Sequence, residues 1–175
     1  MPIQTTYNFQ HDALLQGMVK DAQTCDKITG FSDAAIGFGL GVVYDSAMGT
    51  YETSRPKLAL PSATGFTFMG VTCHTHKQNT GGDDGLGVLT TTESAQYAIG
   101  DDITVLTRGL IVVYSESAVE PGDAVFLRHT ANGAGTAPGQ FRIDADTANA
   151  DQITNAKWAT KITAAGLVVL QINLP

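Results

Sequence analysis

Charged side chains are scarce in this sequence. Only 15% of its 175 residues are Asp, Glu, Lys or Arg, whereas 43% are hydrophobic, and ordinary globular domains contain about 25% charged residues. A weakly charged surface loses little hydration when it packs against other copies or partners, although a plain β protein with polar loops has a similar composition. The few basic residues are scattered and the net charge is −7, so we expect neither nucleic-acid binding nor attraction to an anionic membrane.

Cysteine is nearly absent as well. Cys25 and Cys73 are the only two, and because their spacing does not demand a bridge, we expect free thiols in a reducing compartment. Residues 1–17 lack the basic and apolar regions of a secretory signal, and no apolar run approaches the roughly 18 residues of a membrane-spanning helix. We therefore expect a soluble protein made in the cytoplasm.

Motifs for catalysis are missing, since the sequence contains no nucleophile elbow, no His-Glu-x-x-His and no phosphate-binding loop. Two pairs of potential ion ligands remain. His74 and His76 lie two residues apart, and Asp83 and Asp84 lie among glycines, but zinc and calcium sites need more ligands in register than either pair offers. We favour a strand end and a solvated turn, with ion binding left open. We predict no catalytic, cofactor-binding or metal-binding residue and no cofactor.

Aromatic residues make up only 7% of the chain. Trp158, Tyr97 and Tyr114 could line a sugar or peptide groove. They are isolated in the sequence rather than clustered, so we expect them to pack in the core or in an interface.

What the sequence does contain is a β pattern, clearest in residues 97–127. Gly100–Asp101 and Gly122–Asp123 each precede an apolar strand. Gly accepts the positive φ of a tight turn, and Asp can bond its own backbone two residues on. Between these turns, Arg108–Gly109 separates two apolar runs, and this predicts a hairpin.

Further short strands are predicted along the rest of the chain. Within Ile36–Tyr44, glycines at 37, 39 and 41 alternate with apolar residues, which indicates a close backbone approach or a barrel bend. Two long polar loops, 74–96 and 129–140, are predicted interaction surfaces. The predicted strands are 36–44, 57–60, 65–73, 104–107, 110–114, 156–163 and 167–174.

Many short strands at regular spacing predict an all-β fold, a small β-barrel or sandwich with long loops and an N-terminal arm. We assign residues 1–35 to an arm or peripheral segment, with a first strand of the same fold as the alternative. We assign residues 36–175 to a single β-barrel-like domain.

The order of these segments resembles the capsid cement (head decoration) proteins of tailed bacteriophages. The similar segments, read along the chain, are 17–21, 35–43, 68–72, 97–105, 109–113, 121–125 and 164–171. The resemblance implies a β-barrel protein without catalytic residues that forms homotrimers on the outside of the capsid in the virion. There it would bridge neighbouring major capsid proteins and stabilise the shell.

Two alternatives to the cement-protein interpretation stay open. The chain could be another virion component, such as a tail-tube or baseplate subunit. A different class would be a metal-dependent or carbohydrate-binding β domain that uses His74 and His76.

Overall fold

A computed structural model describes residues 15–20, 25–45, 55–74 and 96–175. These residues contain twelve strands and no helix, which confirms the all-β class. The strands are β1 (Asp26–Phe31), β2 (Ile36–Gly37), β3 (Gly41–Tyr44), β4 (Leu58–Ala59), β5 (Phe68–Thr72), β6 (Gln96–Tyr97), β7 (Asp102–Ser115), β8 (Val125–Arg128), β9 (Phe141–Arg142), β10 (Ala150–Ile153), β11 (Ala156–Trp158) and β12 (Gly166–Asn173).

Strand β7 is the central strand of the main sheet. In its first half, Leu106 pairs with Lys27 of β1 on one side and with Val71 of β5 on the other. In its second half, Ile111 pairs with Leu170 of β12 and bridges to Val19. Strands from distant parts of the chain therefore meet on one long strand, and every other part of the main sheet is positioned relative to it.

The predicted hairpin at Arg108–Gly109 is wrong, because both residues lie inside β7. The chain bulges there instead of reversing. Asp26 pairs with Arg108 and Lys27 pairs with Leu106, which leaves Thr107 as an extra residue on β7. The Thr107 hydroxyl donates to the Asp26 carbonyl, so the extra residue still forms a hydrogen bond with β1.

The bulge also changes which alternating residues of β7 face which core. Before it, Ile103 and Val105 lie in a smaller core cluster; after it, Ile111 and Val113 lie in a larger one. Since side chains alternate along a strand, one extra residue moves the following side chains to the opposite face. One strand thus serves two cores.

The predicted continuous strand over Ile36–Tyr44 is also wrong, because a turn at Phe38 and Gly39 divides it into β2 and β3. Gly39 has a φ of 66°, which a residue with a side chain rarely adopts. The expected close approach is present at Gly41, where a Cβ atom would lie 2.3 Å from the Leu127 side chain. Strand β3 can pack against β8 because Gly41 has no side chain.

The smaller cluster takes side chains from all seven strands β1 to β7. Strand β1 has no ladder with β4; the residue before β4, Lys57, forms an isolated parallel bridge with Phe31, whose N–H donates to the Pro56 carbonyl. Among the described strands the sheet is therefore not closed by continuous pairing as a barrel. The larger cluster lies between the β8–β10 layer and the β11–β12–β7 layer, and it has the character of a sandwich.

Several segments differ from their predicted bounds. The structure places β1 inside residues 1–35, paired along β7, so this part of the segment is a strand of the main sheet. The division at residue 35 stays a prediction. Strand β10 lies in a region whose Ala- and Asn-rich sequence shows no strand pattern. The predicted strand 156–163 contains β11 and, apart from it, an antiparallel bridge between Ile162 and Val119.

The aromatic side chains behave largely as expected. Trp158 is buried in the larger cluster and its indole N–H donates to the Ala124 carbonyl at 3.3 Å. The Tyr97 hydroxyl donates to the Cys73 carbonyl at 2.8 Å from within the smaller cluster. Both residues are core residues, and Tyr114 is half-buried.

Candidate functional site

The residues considered as ion ligands give no site in the described part of the chain. His74 is half-buried, with its ring centroid 4.8 Å from that of Phe38. His76, Asp83 and Asp84 lie outside the described residues. Across residues 15–20, 25–45, 55–74 and 96–175, no group of three or more His, Cys, Asp or Glu side chains is arranged to hold a metal ion.

The most strongly built polar feature is centred on Arg128, the last residue of β8. Its side chain is 1% exposed. Its guanidinium donates to both carboxylate oxygens of Glu116 at 2.6 Å and to the Thr130 carbonyl at 2.9 Å. It also lies 2.7 Å from the Asp146 carboxylate. A bidentate pair of this kind fixes orientation as well as charge, so Arg128 holds two separate loops against the end of the sheet.

Arg142, from β9, completes this cluster. It lies 3.2 Å from Glu116, 3.0 Å from Asp146 and 2.6 Å from Asp144. We call these five residues, Arg128, Arg142, Glu116, Asp144 and Asp146, the Arg128 cluster. Two cations face three carboxylates, which leaves one net negative charge.

The charges and hydrogen bonds within the cluster shift the pKa values of Arg128 and Asp146. The hydrogen bond and charge of Glu116, with a further contribution from Asp146, raise the pKa of Arg128. The hydrogen bonds from Arg128 and Asn132 lower the pKa of Asp146 below its ordinary value of 3.8. Each group is therefore held in its charged form across the neutral pH range.

A strained backbone segment adjoins this cluster. Asp146, Thr147 and Ala148 have φ values of 43°, 54° and 69° and are the only non-glycine residues with positive φ in the described ranges. Each such residue costs about 1–3 kcal/mol. The segment persists because Arg128 holds the Asp146 carboxylate, and because the Asn149 side-chain amide donates to the Asp146 carbonyl at 2.7 Å.

The polar loop 129–140 packs beside the strained segment. The Asn132 amide donates to the Asp146 carboxylate at 3.2 Å, and the Asn132 N–H donates to the Thr136 hydroxyl at 2.9 Å. At the base of the loop, the Arg128 N–H donates to the Gln140 carbonyl. Residues 131–135 are exposed. Of the two loops predicted as interaction surfaces, 129–140 is thus an exposed loop with its ends and centre fixed, and residues 75–95 of the other lie outside the described residues.

The two Gly-Asp turns have the same construction. In residues 98–101, the Ala98 N–H donates to the Asp101 carboxylate at 3.1 Å. In residues 120–123, the Glu120 N–H donates to the Asp123 carboxylate at 2.8 Å. The prediction of two equivalent turns is confirmed, although each Asp accepts from the residue three positions before it rather than two positions after it.

The opposite end of β7 carries charge at its surface. Lys57 lies 2.6 Å from Asp33 and 3.3 Å from Asp45, and Arg55 is paired with Asp102. The Asp33 side chain is 72% exposed. Hydrogen bonds that Lys57 donates to Asp33 and then to Asp45 raise the pKa of Lys57 above its ordinary 10.5.

A shallow polar groove of about 660 Å³ lies over the β7 bulge, beside β11 and β12. Arg108 and Lys157 line it, together with the amide side chain of Gln171. Arg108 is 62% exposed and lies 4.0 Å from the Asp26 carboxylate. Two exposed cations without a buried polar partner do not form a reaction centre.

In the part of the chain that the structure describes, the fold is all-β and the buried charges of the Arg128 cluster hold loops in place. The chain belongs to the phage structural cement protein family (E217 gp24/Pam3 gp6), whose family model matches residues 3–173. That family is structural and not enzymatic, so the expectation that the chain is not an enzyme is confirmed.

Solved structures agree with the fold. A chain from the capsid of Myoviridae phage XM1 matches with a TM-score of 0.68 at 14% identity, over 99% of this chain and 98% of that chain. The head fibre gp8.5 N base of bacteriophage phi29 matches with a TM-score of 0.40 at 11% identity, over 85% of this chain and 94% of that chain. The first likeness shows the fold alone, and the second is too low to carry an argument. No curated protein matches the chain.

The described residues include no helix able to cross a lipid bilayer.

The sequence interpretation missed the Arg128 cluster. A signal for Arg128 existed, since it directly follows the apolar run Val125–Phe126–Leu127 and precedes a polar Asn-Gly loop. Its burial depends on Glu116, 12 residues earlier, and on Asp146, 18 residues later. Such distant partners cannot be assigned from the spacing alone.

Proposed function

We propose that this protein is a cement subunit that binds the outer surface of a phage capsid as a homotrimer and bridges neighbouring major capsid proteins. Its membership of the structural cement protein family, matched over residues 3–173, is the observation that carries this proposal. Membership of this family supports a structural role in the virion. We propose in addition that the protein is a trimer, that it lies on the outer surface and that it bridges capsid proteins.

Physical arguments favour this role. Whatever binds an assembled shell, and not its separated parts, stabilises the shell by mass action. A trimer with cyclic symmetry matches the local three-fold positions of an icosahedral lattice. The low charge of the chain, 15% of residues, favours contacts in which few charged groups must lose water.

The proposal is tested by mixing purified protein with expanded capsids that lack it. We expect the protein to sediment with the capsids up to a saturating stoichiometry, and to behave as a trimer in light scattering. We also expect decorated capsids to withstand higher temperature than bare ones. A monomer that stays in the supernatant would contradict the proposal.

Electron microscopy of virions with labelled protein separates the head from the tail. Label on the head supports the cement role. Label confined to the tail tube or baseplate would replace it with the alternative virion role.

A further inference from the structure

We infer that one exposed tip of the protein, formed by residues 131–136 and 144–148, is the surface that seats on the capsid shell. We call it the left-handed tip. This inference rests on the proposed function and deepens it, because it assigns the contact to one end of the molecule and to one kind of surface.

The first argument is that two of the three strained residues lie outside the core. Thr147 and Ala148 both have left-handed backbone and both are exposed, so their conformation buries no side chain in the core. Strained backbone persists only where its surroundings enforce it, and such segments concentrate at sites that bind. The strained conformation is therefore exposed in a fixed shape that a partner can contact.

The second argument is that the protein uses its most buried charge to hold this shape. Arg128 is 1% exposed and lies 2.7 Å from the carboxylate of Asp146, the first left-handed residue. The same carboxylate accepts from the Asn132 amide of the facing loop. The two halves of the tip are thereby tied to each other and to β8. A loop fixed before binding loses less conformational entropy when it binds.

The chemistry of the tip indicates what it contacts. The exposed residues between 131 and 135 are Ala, Asn and Gly, and Thr147 and Ala148 are small as well. Asp144 is 60% exposed, but it is already paired with Arg142 at 2.6 Å. Small side chains allow a partner to approach the main chain closely. The partner surface we infer is the protein shell itself, contacted through shape and main-chain hydrogen bonds rather than through charge.

The test compares two bulky substitutions in the capsid co-sedimentation assay. Ala134→Tyr adds a ring at the exposed centre of the tip, and Ala164→Tyr adds the same ring at an exposed residue before β12. We expect Ala134→Tyr to weaken capsid binding by more than about tenfold, because the ring prevents close approach. We expect Ala164→Tyr to bind like the wild type. Equal binding by both variants would overturn the inference.

A second variant tests the strain directly and does not depend on bulk. Ala148→Gly keeps the left-handed conformation accessible and removes its penalty, but it also loosens the loop. We expect a folded protein with an unchanged or raised denaturation midpoint and a capsid affinity lowered about threefold to tenfold. A loosened tip that binds as tightly as the wild type would contradict the role of a fixed shape.

Salt distinguishes the tip from the basic groove at Arg108 and Lys157. Binding through the tip changes less than about threefold between roughly 0.05 and 0.5 M NaCl, whereas binding through exposed cations falls steeply. A steep fall, together with loss of binding in Arg108→Gln, would move the contact to the groove and overturn the inference. If the wild type itself does not bind capsids, the proposed function fails. If the wild type binds and substitutions in the tip do not change its affinity, only the assignment of the contact to the tip fails.

Discussion

The two ends of β7 are stabilised in different ways. At the Arg128 end, a buried guanidinium holds the loops that follow β8 and β9, and it does so beside strained backbone. At the Lys57 end, ion pairs lie at the surface, and the strands approach each other closely at glycines. Gly70 illustrates this, since a Cβ atom there would lie 2.3 Å from the Leu106 carbonyl oxygen.

This difference separates two tasks. Close packing at glycines brings strands together. A buried charge network can hold an exposed loop in a conformation that the loop would not adopt by itself. We therefore place partner contact at the Arg128 end and regard the Lys57 end as the part that holds the sheet together.

The largest expected effect is at Arg128. Arg128→Met leaves Glu116, which is 9% exposed, without its main partner, and breaking a buried pair in this way typically costs about 3–5 kcal/mol. We expect the free energy of unfolding to fall by that amount in urea denaturation. The matched control is Arg108→Met, because Arg108 is 62% exposed and exposed pairs contribute about 0–1 kcal/mol.

The comparison between the ends would be broken if both arginine variants lost the same stability. A large loss in Arg108→Met would mean that the β7 bulge depends on its exposed arginine. A small loss in Arg128→Met would mean that the strained loop is held by its own hydrogen bonds.

The next effect tests the Lys57 end. Gly70→Ala combines a φ of 131° with the contact to the Leu106 carbonyl, and we expect a loss of about 2–4 kcal/mol from strain and overpacking. Gly122→Ala is the control. Its φ is 109° but a Cβ atom there meets nothing within 4 Å, so we expect about 1–2 kcal/mol from the backbone alone. Equal losses in the two variants would show that close strand approach is not what Gly70 provides.

A smaller effect distinguishes the two ends of β7 by the pH range in which each contributes to the free energy of unfolding. The pKa of Asp146 is lowered in the folded protein, so its contribution is present above the ordinary value of 3.8 and is lost as the pH falls from there towards the lowered pKa. The pKa of Lys57 is raised, so its contribution is present below 10.5 and is lost as the pH rises above that value.

We expect Asp146→Asn to flatten the acid side of the stability profile and Lys57→Met to flatten the alkaline side, as measured by denaturant midpoints across the pH range. An unchanged acid side in Asp146→Asn would show that the Arg128 cluster does not depend on that carboxylate.

The smallest effect concerns reactivity and leaves stability unchanged. Burial raises the pKa of the Cys73 thiol to about 11, and Cys73 is 2% exposed. We expect it to resist iodoacetamide at mildly alkaline pH in the folded protein and to react after unfolding, because only the thiolate is nucleophilic. Peptide mass spectrometry measures this, with half-buried Cys25 as the internal comparison. Rapid native labelling of Cys73 would show that the larger core, to which Cys73 belongs, opens readily.

The turns of this fold were readable from sequence because their chemistry is local. Gly100 and Gly122 have φ values of 81° and 109°, which glycine adopts without strain, and each precedes an Asp that accepts from its own turn. The predicted strand 57–60 likewise contains β4, and 65–73 contains β5.

The structural features that were predicted wrongly or missed are those that depend on residues distant in the sequence. Arg108–Gly109 between two apolar runs fits either a hairpin or a bulge, and only the pairing of β1 and β12 along β7 selects the bulge. The burial of Arg128 depends in the same way on Glu116 and Asp146. A local sequence pattern does not indicate which distant strand pairs with a segment or which distant carboxylate pairs with an arginine.

A reconstruction of the decorated capsid tests the central claim most directly. We predict density for this fold on the outer surface of the shell, arranged about a three-fold axis, with residues 131–136 and 144–148 in contact with the capsid protein. Density located elsewhere in the virion would contradict the proposed function. Density on the shell with the left-handed tip pointing into solvent would contradict the assignment of the contact.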